Sequence, residues 1–193
     1  EDIDIVYATH YHADHRIDAD CYPNARLYMS EAALADSKAA MEQAERSSGA
    51  SPVVVGLEDF HAAPERLAPG VQLYALPGHT DGNTGLILDA PEGKVLLSGD
   101  TIMGEEYFCA GEGYWFNTSA EKTRASIVLA AQHADVVVPG HGDWFLTKGR
   151  STSGESRSSC WWYRLNLGSS AEKSVILVCT GENKILINPS LPG

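Results

Sequence analysis

Four side chains able to bind a metal fall within six residues near the start of the chain: His10, His12, Asp14 and His15, spaced as HxHxDH. Each offers an imidazole nitrogen or a carboxylate oxygen, donor types that suit zinc, iron or manganese. In a loop leaving a strand, alternate residues point the same way. His10 and His12 can therefore converge on one ion, while Asp14 and His15 turn toward a second position. Three further residues of this kind each follow a glycine: His79 in Pro-Gly-His-Thr, Asp100 in Ser-Gly-Asp-Thr and His141 in Pro-Gly-His-Gly. Five histidines and two aspartates are enough for two ions. A single histidine at a strand end is ordinarily structural or solvated; HxHxDH combined with three more ligand-type residues after strand and glycine is much harder to obtain by accident. His61 and His133 fall in a polar loop and at a helix end and are read as surface residues, His133 in keeping with the preference for basic groups near helix C-termini.

Strands must deliver these residues to one place. Ile3–Thr9 is a short β-branched and aromatic run that predicts a buried strand leading straight into His10. Arg26–Met29 predicts another, and Ser30 is a candidate N-cap for a helix over about Glu31–Arg46, ended by Ser47-Ser48-Gly49. Val53–Val55 is a further candidate strand. Val71–Leu76, Thr84–Asp89 and Lys94–Ser98 predict a meander with turns at Pro77-Gly78, Asp81-Gly82-Asn83 and Pro91-Glu92-Gly93. Its first and third strands end at His79 and Asp100. Gly104–Phe116 reads as an irregular loop whose aromatic residues either line a pocket or form a small separate core. A helix is predicted over about Ser119–Gln132, then a buried strand over Asp135–Val138 that ends at His141.

The composition sets outer limits. The 14 basic and 26 acidic residues leave a net charge of −12, which argues against nucleic acid and against anionic membrane surfaces as partners. Apolar runs such as Ile176–Cys179 are far shorter than the roughly 20 residues of a membrane span. With 44% hydrophobic residues the chain is ordinary globular material. Cys21, Cys109, Cys160 and Cys179 form no CxxC and read as free thiols in a reducing compartment. No signal-peptide pattern is visible, so the expectation is a cytoplasmic protein acting on a small molecule.

HxHxDH, PGHT, SGDT and PGHG, in this order over roughly Ile3–Trp144, resemble the metallo-β-lactamase-fold hydrolase superfamily. The resemblance implies an α/β fold: an αββα sandwich of two mixed β-sheets flanked by helices, with a dinuclear site at one sheet edge. It makes His10, His12 and His79 ligands of a first metal, Asp14, His15 and His141 ligands of a second, and Asp100 the bridging carboxylate. Asp100 with a complete HxHxDH is similar to the ligand set of thioesterase, lactonase and phosphodiesterase branches rather than of class B β-lactamases. His12 favours hydrolysis over the flavodiiron redox branch. The resemblance thus implies two divalent ions, Zn2+ with Fe or Mn as alternatives. Their bridging hydroxide attacks an ester, thioester or lactone-type bond, with Asp14 and Asp100 in catalytic roles. The alternatives are β-lactamase-like or phosphodiesterase activity at the same site, or a metal-binding module without turnover. No basic cluster suited to glutathione carboxylates or RNA phosphates is apparent.

Only nine residues precede His10, whereas the family usually has several strands and a helix there. Such strands are predicted at the other end, over Trp161–Leu167, Ser174–Cys179 and Lys184–Asn188, the last two as a hairpin. Thr147–Ser159, polar and rich in Ser and Gly, reads as a linker. The expected organisation is residues 1–146 as the main part of the domain, 147–159 as linker and 160–193 as displaced N-terminal strands, a circular permutation or reordering. It requires Lys184–Asn188 to lie beside Ile3–Thr9, roughly parallel. Asn188 stands where the family usually has Asp.

Overall fold

The computed structural model describes residues 3–16, 19–48, 56–91, 93–147, 162–166, 176–180 and 183–188. The candidate strand Val53–Val55, the linker beyond Thr147 and the closing turn after Asn188 lie outside the described residues. Thr147 itself, assigned to the linker from sequence, is tied down: its N–H donates to the Asp135 carbonyl at 3.1 Å.

The first sheet contains β1 (Ile5–Ala8), β2 (Arg26–Met29), β3 (His61–Ala62), β10 (Trp162–Asn166), β11 (Ile176–Thr180) and β12 (Asn183–Asn188), in the order β10-β12-β11-β1-β2-β3. The second contains β4 (Arg66–Ala68), β5 (Val71–Ala75), β6 (Thr84–Ala90), β7 (Gly93–Gly99), β8 (Val136–Pro139) and β9 (Phe145–Leu146), in sequential order. Both sheets are mixed. In the first, β1 is parallel to β2 and β11, while β11 and β12 are antiparallel. In the second, β5, β6 and β7 form the expected antiparallel meander and β8 joins β7 in parallel.

Residue alternation along the strands builds the layers. Val95 and Leu97 of β7, and Val136 and Val138 of β8, face the first sheet and pack in one buried cluster with Tyr7, Leu86, Leu88, Val178, Ile185 and Ile187. Leu96 and Val137, one residue out of phase, face the other way and pack against Ile127 and Ala130 of α3 (Ala120–His133). On the far side of the first sheet, Ala8 and Met29 pack with Ala33 of α1 (Glu31–Ser48). The order is helix, sheet, sheet, helix, the αββα sandwich expected from the sequence. Ser30 caps as read, its Oγ accepting from the Ala33 N–H at 3.0 Å; Ser119 caps α3, its Oγ accepting from the Lys122 N–H at 3.2 Å.

Two expectations are corrected, and three short strands were not anticipated. Gly104–Phe116 is not wholly irregular, because α2 occupies Glu105–Ala110 between Gly104 and a left-handed Gly111. The short strands β3, β4 and β9 carry too few residues to show a period of two. The strand beside β1 is β11, with Ile5 opposite Ile176, and not Lys184–Asn188. Lys184–Asn188 pairs antiparallel with β11 on its other edge and parallel with β10. The hairpin packs through its first strand, so the pairing required by the permutation is not the one observed. The C-terminal strands do share the sheet of β1.

The two sheets are joined near the end of β1. The buried Tyr7 hydroxyl donates to the Thr84 carbonyl at 3.0 Å, and the Thr84 N–H donates to the Thr9 carbonyl at 3.0 Å. Tyr7→Phe keeps the packing and strands one buried carbonyl. It is expected to lower unfolding free energy by about 1–3 kcal/mol, read as a lower urea midpoint at unchanged slope. An unchanged midpoint would show that this bond adds nothing.

Candidate metal centre

All seven ligand-type residues singled out from the sequence meet at one end of the sandwich. Their donor atoms form two compact groups, each within 4.8 Å: His10, His12 and His79 in one, and Asp14, His15, Asp100 and His141 in the other. His10 and His12 follow β1 directly. A single 3-10 turn over Ala13–His15, closed by the His15 N–H on the His12 carbonyl at 3.2 Å, swings Asp14 and His15 into the second group. His79, Asp100 and His141 come from the ends of β5, β7 and β8.

Asp100 lies between the groups. Its Oδ1 is 3.0 Å from His15 Nε2, and its Oδ2 is 3.5 Å from His141 Nε2 and 3.6 Å from His79 Nε2. Asp14 Oδ2 is 3.5 Å from both His15 Nε2 and His141 Nε2. His12 Nδ1 and His79 Nε2 are 3.0 Å apart. Glycine makes room for the carboxylate: a Cβ on Gly140 would stand 1.9 Å from Asp100 Oδ1.

These side chains fit a metal better than they fit one another. His10 Nε2, His15 Nε2 and Asp100 Oδ1 are buried and make no hydrogen bond of acceptable geometry, the 3.0 Å contact of His15 with Asp100 notwithstanding. Buried polar atoms of this kind are costly unless something satisfies them. A cation in each group would do so.

The charges are strongly perturbed. Burial pushes His10 well below its ordinary 6.5, assisted by neighbouring His15. Burial likewise lowers His12 and His79. His141 moves the other way, up to about 10, because it hydrogen-bonds Asp100 and Asp14. Asp14 is lowered chiefly by His141. For Asp100 burial acts to raise the value, but the hydrogen bond from His141 and the imidazole of His15 close beside it hold it far below the carboxylate range. Three histidines are thus kept neutral and ready to donate lone pairs, beside two ionised carboxylates.

A cavity of about 930 Å3 opens over both groups. Tyr11, Tyr107, Tyr114 and Phe116 supply aromatic walls, and Glu105, Glu106 and Asp143 supply carboxylates; no Lys or Arg lines it among the described residues. Of the 104–116 aromatics, Tyr107, Tyr114 and Phe116 are pocket wall, whereas Phe108 packs on Phe145 with ring centroids 5.0 Å apart. Trp115, 73% exposed, stacks on Phe116.

Supporting residues were not legible as such. Asn117 has its Oδ1 3.3 Å from His79 Nδ1, and its Nδ2 donates to Thr123 Oγ1 at 2.8 Å. Thr9 touches two site histidines. No spacing rule links Asn117 to His79 across 38 residues; the hydroxyl immediately before HxHxDH was the one available signal for Thr9. His61 and His133 are exposed and away from the site, as expected. Cys21 and Cys109 are free thiols at the surface, and no helix among the described residues is long and apolar enough to cross a membrane.

A family model for the metallo-beta-lactamase superfamily matches residues 1–141, and the chain belongs to that superfamily. It is 28% identical over 151 residues to the human metallo-beta-lactamase domain-containing protein 1, covering 75% of this chain and 49% of that protein. It is 27% identical over 150 residues to the uncharacterized Caenorhabditis elegans protein C03F11.2, covering 75% of this chain and 37% of that protein. The chain therefore spans half or less of these curated relatives. Among solved structures, AidC, a dizinc quorum-quenching lactonase in complex with a product, superposes with a TM-score of 0.51 at 16% identity, covering 69% of this chain and 55% of its own.

Two tests address the site. Gly140→Ala should displace Asp100 and lower the metal content per chain, measured by elemental analysis after dialysis. Full metal content in that variant would contradict the placement of Asp100. In a chelator-treated sample, protons compete with folding in opposite directions. His10, His12 and His79 resist protonation when folded, so stability falls as pH drops below 6.5. His141 gains from it, so its contribution is complete below 6.5 and is lost as pH rises toward about 10. The urea midpoint of the metal-free protein is expected to peak near pH 6.5; a midpoint rising steadily from about pH 5 to about pH 9 would contradict these assignments.

Proposed function

We propose that this chain carries the active site of a dinuclear metal-dependent hydrolase acting on an ester, thioester or lactone-type bond. The observation that carries the reading is the meeting of two ligand groups at one shared carboxylate, Asp100, beneath an open cavity. His10, His12 and His79 would hold one divalent ion and Asp14, His15 and His141 the other, with Asp100 serving both. The imidazole and carboxylate donors favour zinc, with iron or manganese also accommodated. Ions bound there supply Lewis acidity and bring the pKa of water down toward about 7. The fold shared with AidC, itself a dizinc lactonase, is in keeping with this reading.

The chain's own residues supply the remainder. Asp14, about half exposed at the cavity floor, is placed to orient a nucleophile and to pass a proton to the leaving group. Asp100, buried and held ionised by His15 and His141, keeps its charge throughout. The aromatic walls exclude water and accept an apolar substituent. The acidic rim, with no cationic partner among the described lining residues, disfavours phosphodiesters and carboxylate-bearing substrates. The depth and opening of the cavity favour an enzyme over a closed metal-binding module. We take β10–β12 as part of this same domain, because they extend the sheet of β1.

Hydrolysis should be measured on the zinc-loaded protein with a panel of neutral lactones, thioesters and aryl esters, a β-lactam and a bis-aryl phosphodiester. Turnover is expected on neutral acyl substrates. His12→Ala or chelation should reduce it at least about 100-fold. Full activity after either treatment, or turnover confined to the phosphodiester, would overturn the proposal.

A further inference from the structure

We infer that Thr9 is a positioning residue whose single hydroxyl sets the tautomer of two histidines, one in each ligand group, and so couples the two metal positions. The inference rests on the metal reading above. Thr9, His10 and His15 are all fully buried. Thr9 Oγ1 lies 3.3 Å from His10 Nδ1 and 3.1 Å from His15 Nδ1. The opposite nitrogens, His10 Nε2 and His15 Nε2, are the ones left without a hydrogen-bond partner.

Counting protons makes the constraint explicit. A neutral imidazole carries one N–H. Coordination through Nε2 requires that proton to sit on Nδ1. If both histidines coordinate, both Nδ1–H groups point at Thr9 Oγ1, which can accept two hydrogen bonds through its two lone pairs. The hydroxyl's own proton must then leave both imidazoles. Asn83 supplies the acceptor we assign to it. Its Nδ2 donates to the Leu76 and Ser98 carbonyls at 3.1 and 3.0 Å, which fixes the amide, and its Oδ1 is buried without a partner. Oδ1 of Asn83 and Oγ1 of Thr9 crowd the same point above Gly99: a Cβ there would meet them at 2.7 and 2.8 Å.

If the hydroxyl instead donates to one Nδ1, that histidine carries its proton on Nε2 and cannot coordinate through it. Loading one group excludes donation to its own histidine alone; both groups can load together only when the hydroxyl proton points away from both imidazoles, so the two positions depend on one and the same hydroxyl orientation. Residues that orient ligating histidines commonly change metal affinity by 10- to 100-fold. Thr9 touches one ligand of each group, so its loss should weaken both positions together.

The test is zinc titration of the chelator-stripped protein against a competing chromophoric chelator, for wild type, Thr9→Val and Thr9→Ser. Valine keeps the shape and removes the acceptor. Expected is a loss of about 10- to 100-fold in affinity for both equivalents in Thr9→Val, with Thr9→Ser within about threefold of wild type. Unchanged affinity in Thr9→Val, a loss confined to one equivalent, or an equal loss in Thr9→Ser would each overturn the inference. Absence of zinc binding by wild type would instead overturn the metal reading itself. Should Thr9→Val fail to fold, histidine 15N NMR of zinc-loaded wild type decides. Nδ1–H on both His10 and His15 is expected, and Nε2–H on either overturns the assignment.

Discussion

The end of β1 is fixed to the second sheet through one residue, Thr84. Its N–H donates to the Thr9 carbonyl, its carbonyl accepts from Tyr7, and its own hydroxyl donates to Ser30 Oγ at 2.9 Å. Ser30 in turn caps α1. A strand of each sheet and the first helix are thereby pinned at one point, one residue before His10. Ligand-type side chains that come from four separate strands can act together only if the strand ends keep their spacing to within a fraction of an ångström. The buried cluster between the sheets supplies the cohesion. These bonds, all buried and directional, supply the registry.

The same end of the molecule concentrates unfavourable terms. Ionised Asp100 is removed from water, three histidines are held neutral by burial, and several polar atoms lack partners. A fold does not retain such a cluster for stability alone, because buried charge is repaid only by close partners. Metal cations would supply those partners. The −12 of the chain accordingly says little about the site: two dications would add +4 where Asp14 and Asp100 contribute −2, so the local field there would be positive while the rim of Glu105, Glu106 and Asp143 stays acidic.

HxHxDH could be read from sequence because its chemistry is local, and strand alternation with a 3-10 turn is enough to divide four ligands between two positions. His79, Asp100 and His141 were legible because each leaves a short apolar strand through glycine, and Gly140 shows why: no side chain fits beside Asp100. The sandwich followed from the resemblance those motifs carry; the meander and the two helices were legible on their own periodicity. What was not legible depends on contacts distant in sequence. Asn117 meets His79 and Asn83 nears Thr9 only after the sheets have packed. The order of the first sheet was misjudged because hairpin patterns fix which strands pair with each other, not which member of the hairpin faces a third strand. The helix Glu105–Ala110 was hidden by its six-residue length and its aromatic content.

The central claim is that two ions sit in one site and share Asp100. Anomalous scattering at the zinc edge from crystals of zinc-loaded protein tests it directly. Two peaks are expected, one among His10, His12 and His79 and one among Asp14, His15 and His141, with a carboxylate oxygen of Asp100 against each. A single peak, or zinc bound away from these residues, would contradict it.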